Sequence, residues 1–247
     1  MKRFLLTLVA AAIALAAMIG VEIVLALRRE YLPTDPALEI GGTFGDKADP
    51  ELTFVVLGDS TAAGLGAGDP ERAYATLLAK RIAAQGYRVH LVALGISGAR
   101  THDVLRDQVP LAVEARPDLV FVGIGANDVT HLTPLDEVRA DASELVERLR
   151  ATGADVVIAG APDMRAAAWY EPLRSLAGWR GRAVAAAVEE GGSAAGATTV
   201  PLAARTGPYF AGDPEDAYGG DDFHPGPGGY RAWADAIFPE LEPLLSP

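Results

Sequence analysis

The chain has 247 residues, of which half are hydrophobic, and it has no cysteine and a formal net charge of -12. This hydrophobic content is enough for the packed core of one sizeable domain, and the lack of cysteine excludes disulfides, thiolate nucleophiles and cysteine-ligated metals. Because phosphate backbones repel an acidic chain, we expect no nucleic-acid partner.

The first 29 residues differ from the rest of the chain. An apolar run over residues 4–27 has basic residues on both flanks and is interrupted only by Thr7 and Glu22. As a helix it would be roughly 36 Å long, more than the ~30 Å hydrocarbon core of a bilayer. We therefore expect residues 1–29 to be a membrane anchor that holds the acidic body outside the cytoplasm. A cleaved signal peptide, with Ala14-Leu15-Ala16 as its cleavage motif and a secreted product, is the alternative.

Residues 30–51 are rich in proline, glycine and aspartate and have no periodicity, so they are expected to be a linker. From residue 52 to residue 247, strands alternate with helices. The predicted strands are Leu52–Leu57, Tyr87–Leu94, Asp118–Ile124, Ala154–Gly160 and Ala197–Leu202. The predicted helices are Tyr74–Gln85, Thr101–Ala115 (capped by Thr101, kinked at Pro110), Pro134–Ala151, Glu171–Glu190 (broken around Gly178) and Gly228–Leu245 (interrupted at Pro239). This alternation predicts a three-layer α/β/α domain whose five-stranded parallel sheet has the flavodoxin-like order 2-1-3-4-5.

In such a sheet the loops that follow the strands open at one edge, where ligands bind. Ser60 follows the first predicted strand, Asn127 follows the third, and Asp221 and His224 lie in a long loop, residues 203–226, after the fifth. A carboxylate three residues before a histidine can accept its Nδ1–H and leave Nε2 free to take a proton from serine. A capped turn is the structural alternative for such a pair. Of the four histidines, His90 fits a strand residue, while His102 and His131 fit solvated surface groups.

Acyl transfer to a serine also requires hydrogen-bond donors for an oxyanion. The candidates are the backbone amides of Ser60 and Gly95 and the side-chain amide of Asn127, each just past the end of a predicted strand. Gly98 and Asp128 are interpreted as turn residues.

Taken together, these residues resemble the SGNH, or GDSL-like, hydrolase family. The matching blocks, in order, are Gly58-Asp59-Ser60, Gly95, Gly125-x-Asn127-Asp128 and Asp221-x-x-His224. The resemblance covers residues 52–245 and implies the family fold. It also implies that Ser60 is the nucleophile, His224 the general base and acid and Asp221 its orienting carboxylate, with no metal or cofactor. By the same resemblance Ser60, Gly95 and Asn127 form the oxyanion hole. Two positions depart from the family pattern: Thr61 replaces a leucine, and Ala93-Leu94 precede Gly95 where asparagine is frequent.

The resemblance implies an esterase or lipase that hydrolyses carboxylic esters or thioesters, and its substrate would be a small-molecule, lipid or glycan acyl ester. A membrane-tethered acyltransferase or deacetylase acting on cell-surface glycan or lipid is the alternative, because the acyl-enzyme chemistry is shared. An α/β-hydrolase elbow is disfavoured, because that fold places several strands before its nucleophile. A metal site at Asp221, Asp222 and His224 lacks a second histidine, and the glycines of residues 64–68 lack dinucleotide-binding spacing. Aromatic residues in 163–170 and 206–218 either line the substrate pocket or only pack their loops.

Overall fold

The computed structural model of the protein describes residues 2–245, so the last two residues of the expected domain lie outside the described part. A six-stranded sheet has the order β1-β3-β2-β4-β5-β6. Its strands are β1 (Gly41–Phe44), β2 (Glu51–Gly58), β3 (Arg88–Ala93), β4 (Leu119–Gly123), β5 (Asp155–Ala159) and β6 (Thr198–Val200). Strands β2 to β6 pair in parallel and have the predicted doubly wound order, with β2 at the position of the predicted first strand.

The sheet has one more strand than the five predicted. Strand β1 lies within residues 30–51, where we expected a linker, and it pairs antiparallel with β3 so that Thr43 lies opposite His90. The Gly-Gly-Thr-Phe sequence of β1 gives no strand signal, because glycine is depleted in strands. His90 is a strand residue, as predicted, and its ring contacts Thr43 and Glu51 at this edge.

Helices cover both faces of the sheet. In chain order the α-helices are α1 (Lys2–Arg28), α2 (Tyr74–Ala83), α3 (Thr101–Asp103), α4 (Val109–Glu114), α5 (Ala126–Thr130), α6 (Leu135–Arg150), α7 (Leu173–Ala194), α8 (Leu202–Gly212), α9 (Pro214–Ala217) and α10 (Pro227–Leu241), of which α1 lies outside the layers on the sheet. One core cluster joins Val55 and Leu57 of β2 to helices α4, α6 and α7. The other joins Phe54 and Val56 to α2, α8 and α10. Because successive residues of β2 face opposite sides, the strand is buried on both faces, which confirms the three-layer arrangement.

Several predicted helix details are wrong. The residue that caps α3 is Arg100, because the Thr101 hydroxyl instead donates to buried Asp128. Helix α7 is not broken at Gly178, where a side chain would collide with Arg165, so this glycine allows close packing. Helix α10 continues past Pro239.

The predicted loop over residues 203–226 contains most of α8 and all of α9. Helix α9 begins with Asp213, which caps it, followed by Pro214 at its first position. These are ordinary helix-start signals, so the start of α9 is marked in the sequence itself. Phe210 of α8 packs edge-on against Tyr218, with 5.0 Å between the ring centroids.

Helix α1 is long and apolar enough to cross a membrane, with a mean hydropathy of 2.6 in its most apolar window. Most of its side chains are exposed, and Glu22 is its only buried residue. Ile19, Glu22 and Ala26 are spaced three and four residues apart and are the covered positions of the helix. One face of the end of α1 nearer the domain therefore packs on the domain.

Candidate active site

Ser60 lies in a tight turn at the carboxyl end of β2. Gly58 has φ of 152° there, and a Cβ on it would lie 2.2 Å from the Gly123 carbonyl oxygen, so only glycine fits. The buried side chain of Gln108 holds this residue from both sides: Oε1 accepts from Gly58 N–H at 2.9 Å, and Nε2 donates to the Gly58 carbonyl at 2.8 Å. This clamp fixes the backbone two residues before the serine.

Asp59 stabilises the turn from within. Its Oδ1 accepts hydrogen bonds from the Thr61 amide at 2.9 Å and the Thr61 hydroxyl at 2.8 Å. Burial raises the pKa of Asp59, and the bonds from Thr61 only partly offset this effect. The Asp59 carboxylate thus faces inward, while Ser60 is left partly exposed at the edge of the sheet.

A continuous chain of hydrogen bonds joins Ser60, His224 and Asp221. The Ser60 Oγ lies 3.2 Å from His224 Nε2, and His224 Nδ1 lies 2.7 Å from Asp221 Oδ2. Both distances allow proton transfer along the chain, with the serine donating to Nε2 and Nδ1–H donating to the carboxylate. The structure therefore brings together the three residues that the sequence analysis named as catalytic.

The Asp221 carboxylate is almost fully buried, with 3% of its surface exposed. Its Oδ1 accepts from the backbone amides of Phe223 and His224, and its Oδ2 also accepts from the Leu32 amide at 3.1 Å. Burial alone would raise the pKa of Asp221, but the bonds from the His224 ring and backbone and from Leu32 outweigh it and hold the pKa well below its usual range. Asp221 is thus an anion that can stabilise a protonated His224 ring.

The three expected oxyanion donors do not all lie in the cleft. Asn127, in the first turn of α5, lines the cleft beside Ser60, and its Nδ2 donates one hydrogen bond to the Ala99 carbonyl at 3.0 Å. Gly95 instead packs under the serine turn, where a Cβ would lie 2.5 Å from Ala62 C and Ala63 N, and it lines a separate depression. Gly98 lines the cleft with Ser60 and Asn127, although we had interpreted it as a turn residue only.

Asp128 connects the two loops that hold these donors. Its buried Oδ2 accepts from the Thr101 amide at 2.9 Å and from the Thr101 hydroxyl at 2.8 Å. Since Asn127 also bonds to Ala99, the loop of residues 95–100 and the start of α5 are tied together at two points. Asp128 is therefore more than the turn residue that its sequence position indicated.

A cleft of about 890 Å³ opens over Ser60 and His224. Its walls include parts of both predicted segments, among them Trp169, Phe210 and Tyr218, whereas Tyr170 and Tyr209 lie outside it. Burial, together with nearby Asp163, raises the pKa of Tyr218 to about 12, so its phenol stays protonated. Sequence reasoning missed two further parts of the lining. One comes from α1 and the residues after it, and the other from exposed apolar side chains: Ile19, Ile23, Ala26, Leu27, Tyr31, Leu32, Leu132, Leu176 and Trp179.

Over residues 2–245, no group of three or more histidine, aspartate or glutamate side chains is arranged to hold a metal ion. His102 lies 3.5 Å from Asp141, and His131 Nδ1 contacts the Asn127 carbonyl at 2.8 Å. Neither histidine is part of the hydrogen-bond chain from Ser60 through His224 to Asp221.

Three residues that contact the site were not predicted from the sequence: Gln108, Leu32 and Arg29. Their contacts with the site join residues that are 50 or more positions apart in the sequence. No local pattern marks such contacts.

Comparison with known proteins places this geometry in a family. The model of the GDSL-like lipase/acylhydrolase family matches residues 56–232. The chain is 34% identical over 199 residues to the GDSL-like esterase Rv1075c of Mycobacterium tuberculosis, an alignment covering 79% of this chain and 63% of that protein. It is 32% identical over 108 residues to Esterase TesA of Pseudomonas aeruginosa, covering 44% of this chain and 53% of that protein.

A solved structure of TesA superposes with a TM-score of 0.61 at 27% identity, over 78% of this chain and 99% of that one. The chain thus spans between about half and two thirds of the length of the two curated relatives that it matches. The family match covers most of the chain, including the Ser60 turn, Asn127 and the Asp221–His224 pair. The chain belongs to the GDSL-like lipase/acylhydrolase family.

Proposed function

We propose that the protein is a serine hydrolase that cleaves carboxylic esters or thioesters through an acyl-enzyme on Ser60. The observation that carries this proposal is the hydrogen-bond chain from Ser60 Oγ through His224 to Asp221, with distances of 3.2 and 2.7 Å. The relatives named as esterases support the same reaction class.

In the first half-reaction, His224 Nε2 takes the proton of Ser60 as Oγ attacks the acyl carbonyl carbon. The carbonyl oxygen becomes an oxyanion, and Asp221 stabilises the protonated imidazole. His224 then protonates the leaving alkoxide or thiolate, the bond from the acyl carbon to the leaving group breaks, and an ester on Ser60 remains. In the second half-reaction, water loses a proton to His224 as it attacks the acyl carbon. The bond from this carbon to Oγ then breaks, His224 returns the proton to Oγ, and the carboxylic acid is released.

The oxyanion requires donors that are already in place when the charge forms. We assign this role to the backbone amides of Ser60 and Gly98 and to the Asn127 side chain. Gly98 replaces Gly95 in this assignment, because Gly98 lines the cleft with the other two and Gly95 does not. One Nδ2 hydrogen of Asn127 is held by Ala99, which orients the side chain while the second hydrogen stays available.

The character of the cleft favours an apolar acyl group. Exposed Leu132 and Trp179, together with Leu27 of α1, line the cleft that contains Ser60. Because burying apolar area stabilises a complex by roughly 25 cal/mol per Å², such walls favour a medium or long acyl chain over an acetyl group. A lipid or small-molecule acyl ester fits this cleft better than an acetylated glycan.

We further propose that α1 anchors the enzyme in a membrane, with the catalytic domain outside the cytoplasm. The exposed apolar residues ahead of Ile19 support an anchor, whereas the end of α1 from Ile19 to Leu27 contributes to the cleft. Mass spectrometry of the protein purified from its native membrane tests this proposal. We expect an N-terminus ahead of the apolar run, whereas a start near Ala17 would mean that the segment is a cleaved signal peptide.

The enzymatic proposal is tested with the full-length chain in detergent and a series of p-nitrophenyl esters of increasing acyl length. We expect release of p-nitrophenol and free acid, with kcat/KM rising from acetyl to medium chains, and no turnover by Ser60→Ala. Ser143→Ala, a serine on helix α6 away from the cleft, is the matched control and should keep full activity. If wild type and Ser60→Ala are equally inactive on the whole series, the hydrolase proposal fails. If the acyl group goes to a glycan or lipid instead of water, the transferase alternative is correct.

A further inference from the structure

The segment that leaves helix α1, Arg29 to Leu32, contacts the catalytic triad directly; we call it the exit segment. The Leu32 amide donates to Asp221 Oδ2 at 3.1 Å, and this oxygen is the same one that His224 Nδ1 contacts. A backbone donor on that oxygen limits the rotation of the carboxylate. The exit segment therefore completes the set of donors around Asp221.

Arg29 holds the same loop through a second group of contacts. Its Nε donates to the Asp221 carbonyl at 3.2 Å, and its Nη2 lies 2.6 Å from Asp222 Oδ2. Asp222 has a left-handed backbone with φ of 55°, which is unfavourable for a residue with a side chain. The two Arg29 contacts hold the loop in this conformation, between Asp221 and His224.

An aromatic contact joins the exit segment to the histidine. The Tyr31 ring packs edge-on against Phe223 with 5.2 Å between centroids, and Phe223 packs edge-on against the His224 ring at 5.0 Å. The Trp169 indole N–H also donates to the Tyr31 hydroxyl at 3.3 Å. The exit segment thus contacts Asp221 directly and the His224 ring through Phe223.

Helix α1 is itself fixed to the domain next to this segment. The buried Glu22 carboxylate accepts from the amide of Leu173, the first residue of α7, at 2.9 Å. An acidic side chain at the amino end of a helix is favoured by the helix dipole. This contact accounts for the one acidic residue in the apolar run, and it sets where the exit segment meets the domain.

We propose that the exit segment is a positioning element of the active site, so that turnover at Ser60 depends on how helix α1 is seated. Arg29 and Leu32 hold Asp221, and Asp221 in turn orients His224. Neither residue takes part in the chemical steps. This inference rests on the proposed hydrolase function, but it assigns a role to Arg29 and Leu32, which lie outside residues 56–232, the part that matches the family model.

The test is Arg29→Ala in the full-length chain, with its neighbour Arg28→Ala as the matched control, because Arg28 is exposed and outside the contacts described above. Because Asp222 is exposed, its ion pair with Arg29 is worth at most about fivefold. Loss of this pair together with the part-buried Nε hydrogen bond to the Asp221 carbonyl is worth about a factor of ten. We therefore expect kcat of Arg29→Ala to fall about tenfold with KM unchanged, because Arg29 does not line the cleft. The rate at which a fluorophosphonate labels Ser60 should fall by the same factor. Arg28→Ala should match wild type in both measurements.

A double-mutant cycle with Asp222→Ala separates positioning from general destabilisation. If Arg29 acts through Asp222, the double variant should lose little more activity than either single variant. Arg29→Lys should retain part of the kcat that Arg29→Ala loses. If Arg29→Ala melts earlier than Arg28→Ala, the comparison is made at a temperature at which both are folded. Equal kcat values for Arg29→Ala and Arg28→Ala would overturn the inference while the hydrolase proposal stands, whereas an inactive wild type would overturn the hydrolase proposal itself.

Discussion

Replacing Gln108 by leucine should both destabilise the protein and disturb the turn from Gly58 to Ser60. The Gln108 amide is buried and makes two hydrogen bonds to Gly58, at 2.9 and 2.8 Å. After the substitution the Gly58 carbonyl keeps a second donor, the Ile96 amide at 3.1 Å, but the Gly58 N–H loses its side-chain acceptor. An unsatisfied buried donor costs about 1–3 kcal/mol, and leucine fills nearly the same volume, so we expect a loss of about 2 kcal/mol.

Urea unfolding of Gln108→Leu and wild type, followed by circular dichroism at pH 7, measures this loss. Gln85→Leu is the matched control, because Gln85 is exposed after the end of α2 and should unfold within about 0.5 kcal/mol of wild type. We also expect kcat of Gln108→Leu to fall, since Gly58 precedes Ser60 by two residues. A Gln108→Leu variant with wild-type stability and wild-type kcat would refute the reasoning that this side chain holds the turn.

Three further predictions concern the oxyanion donors, the packing of the serine turn and pH. Asn127→Ala should lower kcat by roughly 10²–10³ in steady-state ester hydrolysis, because it removes a donor to the developing charge, and a change in KM alone would contradict that role. Gly95→Ala should lose about 1–3 kcal/mol in thermal or urea unfolding, because its Cβ would overlap the Ala62–Ala63 backbone, whereas Gly212→Ala at the end of α8 has open space around its Cβ and should lose less. The pKa of Asp221 is lower in the folded protein than in the unfolded chain, where it is near 3.9. This difference stabilises the folded protein at pH values above the unfolded-state pKa, and the stabilisation is lost as the pH falls through the folded-state pKa. Unfolding free energies measured from pH 7 to pH 2 should therefore fall less steeply for Asp221→Asn than for wild type, and parallel curves would refute the assignment.

The sheet order and the proximity of Ser60, His224 and Asp221 could be predicted from the sequence because both follow from periodic, local signals. Each parallel strand is an apolar run that ends in glycine or a polar loop, and the fold brings those loops to one edge. Ser60 and His224 are separated by 164 positions, yet each lies beside a strand end or in a loop that the topology places there. The strand order alone is therefore enough to predict that Ser60 and His224 lie close together.

Other features could not be predicted, since they depend on which face of a segment packs on the domain. Helix α1 is apolar all round, so the sequence did not distinguish the face with Ile19 and Glu22 from the faces left exposed. Gly95 and Gly98 are three positions apart and follow the same strand. Only the structure shows that Gly95 packs under the Ser60 turn, whereas Gly98 lines the cleft. Strand β1 was missed for a related reason: its stability comes from pairing with β3 and not from its own sequence.

The central claim, that Ser60 is a nucleophile activated by His224, is tested most directly by labelling the full-length chain with a fluorophosphonate. The labelled protein is then mapped by peptide mass spectrometry. We predict one phosphonyl group on Ser60 in wild type, none in Ser60→Ala, and labelling of His224→Ala slowed by at least about a hundredfold, as expected for loss of a general base. Labelling at another residue, or equal labelling rates for wild type and His224→Ala, would contradict the account.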